Sequence, residues 1–172
     1  MIIGGVAGGA STAARLRRLD EQAEIILFEK GEYISYANCG LPYYIGGVIE
    51  ERERLFVQTP ESFKARFNIE VRIKSEVKAI EPENKQVVIK DWATGKTYRE
   101  SFDKLVLSPG AEPVLPPWEG IRTEGIFTLR NVADTDRIKA WAGRQEVKKA
   151  VVVGAGFIGL EMAENLHELG IQ

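Results

Sequence analysis

A single cysteine, Cys39, and a single histidine, His167, stand in 172 residues. One thiol excludes an internal disulfide framework and fits a reducing, cytoplasmic compartment. No metal site is expected, and His167, far along the last helical pattern, is expected to have a surface or packing role. No apolar run approaches the roughly 18 residues of a bilayer span, so no membrane partner is expected. The opening MIIGGVAGGASTAARLRR is apolar, but its arginines follow the apolar part, the reverse of a secretory signal. Positive charge is not in excess either. A net charge of -2 and a pI near 5.6 give no field for a phosphate backbone, so nucleic acid is not an expected partner.

The residues present are those of an α/β protein. Apolar residues at 44% and charged residues at 28% are ordinary for a globular chain. IIGG (2–5) reads as the end of a buried strand that begins abruptly, and a helix follows from Gly8 to Leu19, with Leu16 and Leu19 inward and Arg15, Arg17 and Arg18 outward. EIILFE (24–29) is a second buried strand. From about Phe67 to Ser108, NIEVRIK, EVKAI, KQVVIKD, KTYRE and KLVLS predict an antiparallel excursion from the sheet. PGAEPVLPPWEG (109–120) reads as a connection between domains. RNVADTDRIKAWAGR (130–144) predicts a helix capped by Asn131 or Asp134. KKAVVVGAGFIGLEMAENLHELG (148–170) repeats the opening strand, glycine turn and helix.

The second turn matches GxGxxG at Gly154, Gly156 and Gly159, after a β-branched run and before a helical pattern. Its glycines permit a tight turn, close approach to a pyrophosphate and close helix packing, with the helix N-terminus facing the phosphates. The first turn, GGVAGG, has Gly4 and Gly9 in place but Val6 where the middle glycine belongs. Glu29, twenty residues after Gly9, stands where an acid can bond the ribose of an adenine nucleotide. Two dinucleotide sites suggest electron transfer between two cofactors.

SYANCGLPYYIGG (35–47) surrounds the cysteine. With both glycine turns, LSPGAEP (107–113), TPESFKARFNIEVR and LRNVADTDRI, it resembles the pyridine nucleotide-disulfide oxidoreductases that use FAD. Within them it is most similar to the coenzyme A-disulfide reductases and coenzyme A persulfide or polysulfide reductases. The resemblance implies a Rossmann-like FAD-binding domain with a β-meander excursion at 1–112, then the start of an NAD(P)H-binding domain at 113–172. The chain would thus be the N-terminal part of a longer protein and inactive alone. It implies FAD along Gly4, Gly5, Val6, Ala7, Gly8 and Gly9, with Glu29 and Lys30 at the ribose end and Val77, Ser108, Pro109 and Gly110 along the adenine side. NADH or NADPH would lie at Gly154, Gly156, Phe157, Ile158 and Gly159, with Phe157 as an aromatic gate and Glu161 near the nicotinamide. Coenzyme A would be held near Ser11, Arg15, Arg18, Ser35 and Asn38. Phe67 stands where some relatives have a lysine that contacts coenzyme A. A homodimer is expected.

By the same resemblance, Cys39 is the catalytic residue. A helix beginning near Gly40 would favour its thiolate, the form that attacks a sulfur–sulfur bond. Relatives with two cysteines separated by four intervening residues are excluded, because the second position is Tyr44. NADH oxidases and peroxidases, which cycle a cysteine sulfenic acid, remain the alternative, although Ala7 stands where they usually have a histidine. A nucleotide-binding fragment without turnover is a third reading.

Overall fold

The computed structural model describes residues 1–172, which divide into two compact units. One comprises Met1–Tyr36 and Phe56–Gly110; the other comprises Ala37–Leu55 and Ala111–Gln172. The short stretch around Cys39 therefore belongs with the C-terminal part of the chain.

The first unit is built on a four-stranded parallel sheet. β1 (Ile2–Ile3) lies between β2 (Ile26–Phe28) and β7 (Val106–Leu107), and β3 (Glu70–Arg72) extends the sheet beyond β2. β4 (Ser75–Glu81), β5 (Gln86–Asp91) and β6 (Thr97–Ser101) form a separate antiparallel sheet. The expected antiparallel excursion is thus confined to the middle three segments. NIEVRIK and KLVLS instead supply strands to the parallel sheet, because each finds an open edge there for its backbone N–H and C=O groups.

β2 is buried on both faces, as a strand inside a covered sheet must be. Ile25 and Leu27 join Ile2, Ala10, Ala13, Phe63 and Ile69 in one core cluster. Ile26 and Phe28 join Val87 and Ile89 in another. The two sheets are further tied by Arg72, whose guanidinium bonds Glu70 and Glu100 and lies over the Phe28 and Tyr98 rings.

α1 (Ala7–Leu19) buries Gly9, Ala10 and Ala13, not the leucines. Leu16 is 37% and Leu19 65% exposed, contrary to the expected inward placement. The small side chains let the helix approach the sheet, and that close approach sets its rotation. Arg17 also departs from the expected solvated face. Its guanidinium donates to the carbonyls of Phe67 and Asn68, at the end of α3 (Pro60–Phe67), and to that of Glu21.

In the second unit, α2 (Leu41–Ile45), α4 (Val132–Ala142) and α5 (Phe157–Glu168) carry the packing. α4 begins with a capping box, Asn131 accepting from the Asp134 N–H and Asp134 from the Asn131 N–H. The run before α5 forms no ladder strand. Only Gln172 pairs with it, donating to Lys148 and accepting from Ala150, and Val151 and Val153 are 89% and 79% exposed. A strand needs a neighbour to satisfy its backbone along its length. No helix is long and apolar enough to cross a membrane.

Candidate functional site

Two turns of the same construction begin α1 and α5. Gly4 and Gly154 take positive φ, +96° and +111°, a region closed to most L residues. Five residues on, a Cβ on Gly9 would lie 1.7 Å from the Gly4 carbonyl oxygen, and one on Gly159 would lie 1.9 Å from that of Gly154. Val6 and Gly156 occupy the N-cap positions, and neither helix start has a side-chain cap. The first N–H groups of each helix are therefore unclaimed by a capping side chain, which suits a diphosphate. Val6 takes the place of a glycine without loss of the turn.

Around the first turn the unit gathers most of the residues singled out from sequence. Glu29, buried at the end of β2, accepts the N–H of Gly5 through Oε2 and that of Gly31 through Oε1, each at 2.8 Å. It thus braces the turn, and each oxygen keeps a further lone pair for another donor. Lys30 follows it on the surface. The Ser108 N–H donates to Ile3, which brings the Ser108 carbonyl to 1.9 Å from where a Gly4 Cβ would lie. Pro109 stands at the same place, and Gly110 follows with φ +71°. Val77 lies on β4 at a register shift in the ladder, two residues after Ser75, whose N–H donates to the Glu29 carbonyl.

Ser11, Arg15 and Arg18 lie along one exposed stripe of α1. Ser11 and Ser35 meet at an open cleft of about 340 Å³, whose other walls include Ala10, Ala14, Phe63 and Phe67. Arg15 and Arg18 do not line it. Ser35 has φ +45°, uncommon for a residue with a side chain, and is held there by three backbone bonds. Its N–H donates to Gly5, and its carbonyl accepts from Val57 and Gln58. Sequence alone singled out Ser35 but not this conformation.

In the second unit, Asn38, Cys39 and Gly40 form one 3-10 turn immediately before α2. The turn is closed by the Gly40 N–H donating to Ala37, and Ala37 donates to Leu55. Cys39 is a free, exposed thiol, and α2 extends for five residues only. The Oδ1 of Asn38 is buried with no hydrogen-bond partner, so it has an acceptor to offer a ligand. Tyr44, where a second cysteine would stand, is buried. Phe157 opens α5 at 88% exposure, with Ile158 exposed beside it and Glu161 one turn on. No group of acidic, histidine and cysteine side chains could hold a metal.

The sequence matches the family model for pyridine nucleotide-disulphide oxidoreductases over residues 1–172. The chain belongs to this family. Among curated members, it is 44% identical over 171 residues to the coenzyme A disulfide reductase of Staphylococcus aureus, matching 99% of this chain and 38% of the relative. Two solved structures of the family share its fold. Reduced CoADR-RHD of Bacillus anthracis is 58% identical, with a TM-score of 0.97, over 99% of this chain and 31% of that one. The NAD-dependent persulfide reductase of A. fulgidus is 39% identical, with a TM-score of 0.93, over 99% and 32%. The chain thus spans about two fifths of the length of the curated relatives it matches. It has the α/β, Rossmann-like fold of the family's FAD-binding part.

Proposed function

We propose that the whole protein is an NAD(P)H-dependent flavoprotein that reduces the sulfur–sulfur bond of a coenzyme A disulfide, persulfide or polysulfide, with Cys39 as its one redox-active residue. The observation that carries this reading is the free, exposed thiol on a turn of its own, with Tyr44 and no second cysteine beside it in these 172 residues. Similarity to a coenzyme A disulfide reductase and a persulfide reductase supports the substrate class.

The residues fit the cofactors. The uncapped start of α1 and the Gly4–Gly9 turn suit the FAD diphosphate, with Glu29 and Lys30 for the ribose end and Val77, Ser108, Pro109 and Gly110 for the adenine side. Gly154, Gly156 and Gly159, with Phe157, Ile158 and Glu161, suit the nicotinamide nucleotide. Bound in these places, FAD would supply the Cys39 centre with the two electrons of NAD(P)H. In this reading 1–112 and 113–172 are the beginnings of the two nucleotide-binding domains, and the working form is a cytoplasmic homodimer.

Cys39 attacks one sulfur of the disulfide as the thiolate, forming a mixed disulfide and expelling one coenzyme A thiolate, which takes a proton. Two electrons and a proton then release the second coenzyme A as thiol and restore the Cys39 thiolate. The sum is one disulfide, one NAD(P)H and one proton to two thiols and NAD(P)+. Ser11, Arg15 and Arg18 would meet the anionic end of coenzyme A, and Ser35 and the free Asn38 Oδ1 its polar groups.

The test is anaerobic reduction of the whole protein with NADH or NADPH, counting coenzyme A thiol released from coenzyme A disulfide or persulfide. Release that is lost in Cys39→Ser is expected. Absence of release, with rapid consumption of oxygen or peroxide, would place the protein with the oxidases instead.

A further inference from the structure

The helix behind Cys39 is held from its far end. α2 begins at Leu41, directly after the Cys39 turn, and ends at Ile45. The Lys139 ammonium, on α4, donates to the Tyr44 carbonyl and sits 4.3 Å from the centre of the Tyr44 ring. Gly46, the next turn of chain, lies against buried Asn165 of α5 so closely that a Cβ there would fall 2.2 Å from Oδ1. Further along the same segment Arg52 makes a two-pronged ion pair with Asp136, also on α4, at 2.7–3.1 Å.

Among these contacts, Lys139 is the one that simple packing does not explain. It is half-buried, burial pushes its pKa down, and no carboxylate pairs with it. An apolar side chain would fill the position without the cost of a desolvated charge. What the ammonium does here is fix one carbonyl and one ring of α2.

We infer that Lys139 is a positioning residue for Cys39: by holding the Tyr44 carbonyl and ring from α4, it fixes the short helix on which the Cys39 turn is set. The inference rests on the reading of Cys39 as the redox-active residue.

The test compares the whole flavin-loaded protein with Lys139→Met and Lys139→Arg in turnover of coenzyme A disulfide. In Lys139→Met kcat is expected to fall about 10-fold, with KM for disulfide and nucleotide within about twofold and most of the loss restored by Lys139→Arg. Unchanged kcat, or a loss that the arginine does not restore, would overturn the inference. Alkylation of Cys39 by iodoacetamide at pH 7 needs no disulfide substrate, so it separates this failure from failure of the functional reading. The rate is expected to drop about threefold in Lys139→Met and recover in Lys139→Arg. Equal rates in all three proteins would refute the positioning role whatever the substrate proves to be.

Discussion

A methyl group at Gly9 has nowhere to go, because the Gly4 carbonyl oxygen already occupies its place. Gly9→Ala should therefore cost about 2–3 kcal/mol and open the first turn, read as a lower melting temperature and loss of flavin from the purified protein. Val6→Gly, by contrast, should keep the flavin, since the turn is built around the glycine-like φ of Gly4 and the contact at Gly9, not around position 6. These glycines were legible from spacing, because backbone geometry allows little else there. Glu29 was legible by its distance from them, though not its hold on the Gly5 and Gly31 N–H groups. Ser35 in a left-handed conformation, and Arg17 bonded to the end of α3, have no signal in the sequence. Each depends on a backbone partner that only the fold brings near.

Among the elements, α3 is the one that the sequence pattern did not announce. Its start is nonetheless written locally. Thr59 accepts from the Ser62 N–H, Ser62 Oγ accepts from the Thr59 N–H, and Pro60 opens the helix. Thr59→Ala should destabilise the protein by about 1 kcal/mol in a denaturant titration. The strands show the opposite limit. Their positions were legible from alternation, but which sheet each joins was not, because β3 and β7 look no different from β4 to β6 until their neighbours are known. The turn between β5 and β6 offers a pH test. Asp91 takes the Thr94 hydroxyl first, then the N–H groups of Thr94 and Ala93, and these hold its carboxyl below the ordinary aspartate value of 3.8. A carboxyl lowered on folding stabilises the folded chain above its unfolded value and loses that effect as pH falls through the folded one. The stability gap between wild type and Asp91→Ala should thus be constant above 3.8 and close as the pH is lowered further, measured by denaturant titration across that range.

At the scale of the whole chain, the two units are interlaced in sequence: the backbone passes between them at 36/37, 55/56 and 110/111. Sequence composition pointed to the last passage, through its prolines and glycines, but not to the first two, where packing alone assigns residues 37–55 to the second unit. One cut in the exposed stretch at Trp118 should accordingly leave a protein that elutes as a single species under native conditions and separates into two fragments only in denaturant. Separation without denaturant would mean that the contacts of α2 with α4 and α5 are too weak to hold the second unit together. The same interlacing sets an order of events on the ribosome. Residues 37–55 leave the exit tunnel long before α5, which ends at Glu168, has been made. At about 5–20 residues per second they wait about 6–23 s for it. Through that interval α2 lacks one of the two helices it packs against, so the segment that carries the Cys39 turn waits for its final support until the last helix is made.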